Sequence, residues 1–377
     1  MEKMTLVAPC LFGLESILKD EIQRLGYDII EVMDGRVVFE GDFEAVARAN
    51  MFLRTAERVL IELGRFKATT FEQLFQGVKK LPLEDFIGPL NAFPVKGTSL
   101  KSKLYSVPDC QKIIKKAAVT RLGEVYGITH FEESEPRVQI QFMLFKDIAY
   151  LYLDTSGVAL YKRGYKAQSG AAPLRETIAA AMVKLSRYSP GIPFYDPMCG
   201  SGTIAIEAAM IAANMAPGLG RRFDYEHWDC VPVLLASQAR SEALDVRKPL
   251  NEPIIFASDI DPKAVELTRH NATLAGIKKG LWANRADVAD FTAKEGKGVI
   301  VTNPPYGERL LDKEQASKVY AEMKSLLLPD HRLYVIAPGD SDFEQYIGRR
   351  ADKKRKVYNG MLTCNIYQYF KRQVEIK

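Results

Sequence analysis

Apolar positions along the chain follow two different periods, and the change between them divides it. Over residues 13–25, Leu14, Ile17, Leu18, Ile22 and Leu25 recur at helical spacing, as expected of a helix packed along one side. Residues 36–40 and 58–65 read as strands, with a second helix over 43–49. The pattern continues with a helix over 71–79, a strand over 92–95 and a helix over 109–126. Residues 138–142 alternate strictly, and 149–154 form the hairpin partner across Lys146-Asp147. Helices mixed with short strands predict a small α+β sandwich.

The second half changes character. Residues 192–196, 254–259, 299–302 and 333–337 are short apolar runs, and 364–370 is a late strand. Helices are expected over 173–185, 203–214, 262–275 and 318–328. Apolar strands alternating with helices predict a parallel sheet covered on both faces. Residues 216–253 read as a charged insertion with no assigned role. Three regions follow: 1–65, 66–165 and 166–377.

Composition narrows the class. With 377 residues, 47% of them hydrophobic and 26% charged, the chain is ordinary for a globular protein and long enough for two or three domains. It has no run of 18 apolar residues and no basic-then-apolar leader, so neither a membrane span nor secretion is expected. Five scattered cysteines without Cys-x-x-Cys predict reduced thiols in a cytoplasm. The four histidines are not paired at ligand spacing, so no metal site is expected. The net charge of +5 is concentrated. Lys96, Lys101, Lys103, Lys112, Lys115, Lys116 and Arg121 face one acid, Asp109, in a single stretch. Residues 349–356 form a second basic run, and Tyr161-Lys162-Arg163-Gly164-Tyr165-Lys166 interleaves cations with rings. Such clusters suit a phosphate backbone with unpaired bases, which makes nucleic acid the expected partner.

The candidate chemistry lies at strand ends, where open parallel sheets bind ligands. Asp196-Pro197-Met198-Cys199-Gly200-Ser201-Gly202-Thr203 closes one strand; its glycines allow close backbone approach, and the next helix start favours a carboxylate. Asp259 ends the following strand and could accept from both hydroxyls of a ribose, while Asp261 is expected to cap the helix from Pro262. Asp287 is expected to end the third strand, where it could bind an adenine amine. Asn303-Pro304-Pro305-Tyr306 ends the fourth. A conjugated amine is a poor nucleophile, because its lone pair is delocalised into the ring. The Asn303 side-chain oxygen and the Pro304 carbonyl could each accept one of its N–H bonds, which favours a pyramidal nitrogen. The prolines fix the carbonyl's direction, and Tyr306 offers a stacking face. Gly200-Ser201-Gly202-Thr203-Ile204-Ala205 also satisfies a dinucleotide fingerprint, so a nicotinamide-dependent oxidoreductase competes. Against it, Asp259 follows the glycines by more than fifty residues, where that fingerprint expects about twenty. It also leaves the Asn303 loop without a role.

From about residue 160 onward the order of these motifs resembles the class I S-adenosylmethionine-dependent methyltransferases of the amino-methylating Asn-Pro-Pro-Tyr branch. Lys162-Arg163-Gly164-Tyr165, Ala172-Pro173-Leu174-Arg175-Glu176-Thr177 and residues 302–310 are similar to the large-subunit ribosomal RNA guanine-N2 methyltransferases. The Phe12-Gly13-Leu14-Glu15 start and the basic helix resemble their ferredoxin-like plus THUMP RNA-binding module. The resemblance implies a Rossmann-like α/β methyltransferase domain preceded by that α+β module, with S-adenosylmethionine as cofactor. It implies that Gly200, Ser201 and Gly202 line the methionine arm, and that Asp196 closes the pocket near the amino group. Asp259 would hold the ribose and Asp287 the adenine. Asn303 and Pro304 would grip a guanine amine, with Asn303 also counted among the cofactor-binding residues and Tyr306 against the base. Pro173, Leu174 and Arg175 would pack beside the cofactor, with a helix-start ion pair between Arg175 and Glu176 as the alternative. Arg309 either contacts a phosphate or braces the loop with Glu308. Transfer RNA guanine-N2 methyltransferases share this layout. Some ribosomal members carry a fused second methyltransferase domain; the chain stops at Lys377, so that second activity is not expected.

Overall fold

The computed structural model describes residues 3–166, 174–305, 313–360 and 362–370. The amino-terminal half is built from β1 (Met4–Pro9), α1 (Glu15–Arg24), β2 (Ile29–Met33), β3 (Arg36–Gly41), α2 (Phe43–Phe52), β4 (Leu60–Lys67), α3 (Phe71–Lys79), β5 (Asn91–Ala92), β6 (Val95–Leu100), α4 (Val107–Tyr126), β7 (Ser134–Arg137), β8 (Gln139–Phe145) and β9 (Ile148–Asp154). Seven of these strands form one sheet in the order β2-β3-β1-β4-β9-β8-β6. Antiparallel pairing of β4 with β9 makes it continuous. The β8–β9 hairpin closes where the alternation places it, with Lys146 and Asp147 both at positive φ (51° and 63°), as tight hairpins prefer. The single strand expected over 92–95 is two strands: β5 pairs with β7, and β6 forms the sheet edge.

The second half contains α5 (Glu176–Leu185), β10 (Phe194–Asp196), α6 (Thr203–Ala212), α7 (Leu234–Asp245), β11 (Ile255–Asp259), α8 (Pro262–Leu274), β12 (Leu281–Arg285), β13 (Gly298–Thr302), α9 (Lys313–Glu322), β14 (His331–Pro338), α10 (Phe343–Ile347), β15 (Lys353–Asn359) and β16 (Leu362–Tyr369). Its sheet runs β12-β11-β10-β13-β14-β16-β15. The first five strands are parallel, but β16 is antiparallel to β14, and β15 to β16. The wholly parallel sheet expected from the sequence is therefore corrected at this edge. A tight hairpin there needs no crossover helix. The basic run 349–356 leads into β15, a strand the apolar pattern does not reveal.

Residues 216–253 brace the two halves. Arg48 on α2 makes a two-pronged pair with Glu242 on α7, both contacts at 2.9 Å. The Gly218 amide donates to Met51 O (2.9 Å), Tyr225 N to Thr155 O (3.1 Å) and Trp228 Nε1 to Arg137 O (2.9 Å). Within the interleaved segment 161–166, Arg163 and Tyr165 are buried while Lys162 is exposed, which corrects the reading of Arg163 as a phosphate-binding cation. Arg163 is buried, donates to Leu160 O (2.7 Å) and pairs with buried Glu207 (3.3 Å), which also accepts from Tyr165 (3.3 Å). The acid offsets the desolvation cost of a buried guanidinium. In the 96–121 stretch, Arg121 pairs with Glu84 and Lys115 with Glu133 (2.6 Å), whereas Lys96, Lys101, Lys103, Lys112 and Lys116 are exposed.

Candidate active site

The strand order reverses at β10. Sequential strands β11 and β12 extend to one side of it, β13 and β14 to the other. A crevice opens at such a reversal, beyond the carboxyl ends of the two central strands. Asp196 ends β10, and Asn303 follows β13 directly.

Asp196 is buried. Its Oδ1 accepts from the Thr302 hydroxyl (3.1 Å), while Oδ2 is buried without a hydrogen-bond partner. Burial pushes this carboxyl up to about 8; the Thr302 hydrogen bond opposes that rise, and the charge of Asp259 adds to it. The Asn303 side-chain oxygen is likewise buried without a partner. Two orphaned acceptors at the ends of neighbouring strands would be costly unless a donor-bearing ligand meets them.

The glycine loop is held from α8. Gly200 (φ +52°) and Gly202 (φ +83°) both adopt left-handed backbone, and a Cβ on Gly202 would lie 2.8 Å from the Thr268 methyl. Thr268 donates to Gly200 O (2.9 Å), and Asn271 Nδ2 to Ser201 O (2.9 Å). The Cys199 amide reaches back to Ser258 O (2.9 Å). Thr268 and Asn271 were not anticipated. Their spacing of three on one helical face is the signal that could have found them.

Asp259 is half-buried, and its two oxygens accept from Gly200 N (2.9 Å) and Asp261 N (3.0 Å). Each oxygen keeps the capacity to accept a further hydrogen bond. Asp261 caps α8 as expected, accepting from Lys263 N (2.9 Å). Asp287 lies two residues beyond β12 rather than at its end. It caps a 3₁₀ turn (Val288–Asp290) by accepting from Ala289 N (2.9 Å). Arg175 does not pair with Glu176; its partner is Glu57 (3.2 Å), which also accepts from Thr177 (2.8 Å). Glu176 pairs instead with Lys166 (3.3 Å). Tyr306, Arg309 and Pro173 lie outside the described residues. No group of three His, Cys, Asp or Glu side chains is placed to hold a metal, and no helix is long and apolar enough to cross a membrane, among the described residues.

A sheet that reverses at β10, a glycine turn and successive acidic strand ends are the features of a class I methyltransferase domain, whose cofactor is S-adenosylmethionine. Residues 163–368 match the family described as RMKL-like, methyltransferase domain, residues 5–60 the RlmL ferredoxin-like domain, and residues 68–154 the THUMP domain. The chain belongs to the RMKL-like methyltransferase family. It is 43% identical over 376 residues to the putative RNA methyltransferase YpsC of Bacillus subtilis, covering 99% of this chain and 97% of that one. Among solved structures it is similar to a predicted N6-adenine-specific DNA methylase from Listeria monocytogenes (45% identity, 98% and 97% of the two chains, TM-score 0.91). It is similar too to SMU.472, a putative methyltransferase complexed with S-adenosylhomocysteine (40% identity, 100% of both chains, TM-score 0.91).

The residues fit this cofactor. The unpartnered Asp196 Oδ2 suits an ammonium group, the turn at Gly200-Ser201-Gly202 leaves room for backbone approach, and Asp259 retains acceptors for vicinal hydroxyls.

Proposed function

We propose that this S-adenosylmethionine-dependent RNA methyltransferase transfers its methyl group to the exocyclic N2 amine of a guanine in large-subunit ribosomal RNA, in the cytoplasm. The observation that carries the reading is the buried, unpartnered Asn303 oxygen at the sheet's reversal point, in a chain that also carries a THUMP domain. When bound, S-adenosylmethionine supplies an electrophilic methyl on a sulfonium. The chain's own work is alignment. Asp196 holds the cofactor's ammonium group, Gly200, Ser201 and Gly202 cradle the methionine arm, Asp259 takes the ribose hydroxyls, and Asp287 takes the adenine amine. Asn303 Oδ1 and the Pro304 carbonyl accept the two N–H bonds of the target amine, and Tyr306 stacks on the base. The base must be unpaired or flipped to reach that depth.

Mass spectrometry of nucleosides from ribosomal and transfer RNA of a deletion strain tests this. The expected result is loss of N2-methylguanosine from large-subunit RNA, restored by the wild-type gene. Loss confined to transfer RNA would move the assignment to the tRNA guanine-N2 enzymes. Loss of N6-methyladenine from DNA would overturn the guanine reading, and tight dinucleotide binding without S-adenosylhomocysteine binding would favour an oxidoreductase.

A further inference from the structure

The Phe12-Gly13-Leu14-Glu15 motif has no part in the crevice, yet it is built with care. Leu14 N donates to Leu11 O (3.0 Å), closing a four-residue turn with Gly13 at its third position and φ +90°, where only glycine sits without strain. The Glu15 carboxylate accepts from Gly13 N (3.0 and 3.1 Å) and from Gly35 N (2.9 Å). The turn then docks on β15: Arg355 donates to Gly13 O (2.6 Å) and Ser16 Oγ (3.1 Å). A Cβ on Gly13 would collide with the Lys356 carbonyl. Rigid backbone on both sides thus holds Phe12 outward at the corner, 44% exposed. Its ring meets Tyr358 edge-on at 6.0 Å, and the Lys356 ammonium lies 5.4 Å from the Tyr358 centroid.

The sheet register locates this group. Thr302 pairs with Val335; two residues further along β14, Ala337 pairs with Asn365, which pairs with Lys356. Lys356 is therefore two rungs beyond Thr302 toward the carboxyl edge, level with Pro304, and Tyr358 lies further out along the same rim. Three interstrand steps separate them, about 14 Å at ~4.8 Å per step. That span sets the group beside the Asn303 site rather than within it.

We propose that Phe12, Tyr358 and Lys356 form an RNA platform, shared between the amino-terminal module and the edge hairpin of the catalytic sheet, that stacks an unpaired nucleotide beside the target. Phe12 supplies the exposed flat apolar face with Tyr358 set edge-on beside it, and Lys356 with exposed Lys353 supplies charge opposite to the phosphates. The inference rests on RNA being the substrate class.

Binding of the full-length protein to a short fluorescent single-stranded RNA, read by anisotropy, tests the platform independently of which base is methylated. Phe12→Ala is expected to weaken binding by roughly 5- to 150-fold, the range of one lost base–aromatic stack, with Phe12→Trp restoring it. Lys356→Gln is expected to lower the slope of log affinity against log salt by about 0.7, one single-strand phosphate contact. Calorimetry with S-adenosylhomocysteine on each variant confirms an intact fold. Wild-type RNA affinity in both Phe12→Ala and Lys356→Gln overturns the platform. So does a Phe12→Ala variant whose only change is a shift in sedimentation, which would assign the ring to a contact between copies. If the wild type binds RNA through these residues but the deletion strain retains all its N2-methylguanosine, the platform stands and the proposed target falls.

Discussion

The Thr302 hydroxyl donates to Asp196 Oδ1 across 3.1 Å, tying the ends of β13 and β10 together where the sheet order reverses. This bond favours the charged carboxylate against the burial that pushes it up to about 8. Thr302→Val removes the donor with little change of volume, so the Asp196 carboxyl rises further. Affinity for S-adenosylhomocysteine, measured by calorimetry between about pH 6 and 9, should then lose its acid limb at a higher pH than in the wild type. An unmoved midpoint would show that Asp196 does not meet the ammonium group.

Asp196 also sets a sign for stability. Its folded carboxyl titrates well above the unfolded value, so the folded ligand-free protein binds more protons than the unfolded chain from about pH 4 to about 8. Stability contributed by the protonated form is lost as pH rises through that window. Asp196→Asn should raise the unfolding free energy at pH 8 by about 1–3 kcal/mol, with the gain shrinking near pH 5. Denaturant titration at both pH values checks it; equal effects at the two would refute the linkage.

On the proposed reading, Asn303→Ala removes one acceptor from the target amine and leaves the acidic cofactor contacts in place. Turnover should fall by about 100-fold or more while affinity for S-adenosylhomocysteine stays near wild type. A variant with near-wild-type turnover would remove Asn303 from the amine grip.

Gly202 and Gly200 separate two effects. Both have left-handed backbone, but only at Gly202 does a Cβ press on Thr268. Gly200→Ala should cost about 1 kcal/mol of stability, and Gly202→Ala about 2–4 with a loss of cofactor affinity beyond that of its neighbour. Paired melting curves with and without S-adenosylhomocysteine distinguish them.

Much of this architecture was legible where it is local. The helix expected over 71–79 is Phe71–Lys79, with Thr70 capping it through Gln73 N (3.2 Å). The positions of Asp196, Gly202, Asp259 and Asn303 at successive strand ends follow from the order of motifs alone. β15 escaped because its residues read as a solvated basic run; only pairing with β16 and burial of Val357 make it a strand. The brace at 216–253 escaped because its partners, such as Arg48 for Glu242, are 194 residues apart in sequence. Thr268 and Asn271 escaped because polar side chains on a helix read as solvent-facing until the loop they hold is known. Arg175 shows the same limit: the adjacent acid was the obvious partner, and a distant one, Glu57, is the real one.

The brace from Ala216 to Pro253 turns the protein into a caliper. Its contacts reach α2, Thr155 and Arg137, so the amino-terminal module is joined to the catalytic domain by packed side chains as well as by the chain itself. On the proposed reading, a transcript would then be selected by presenting its anchoring features at one set span from the base to be altered. Lengthening or cutting the brace would trade this selection by size for reach.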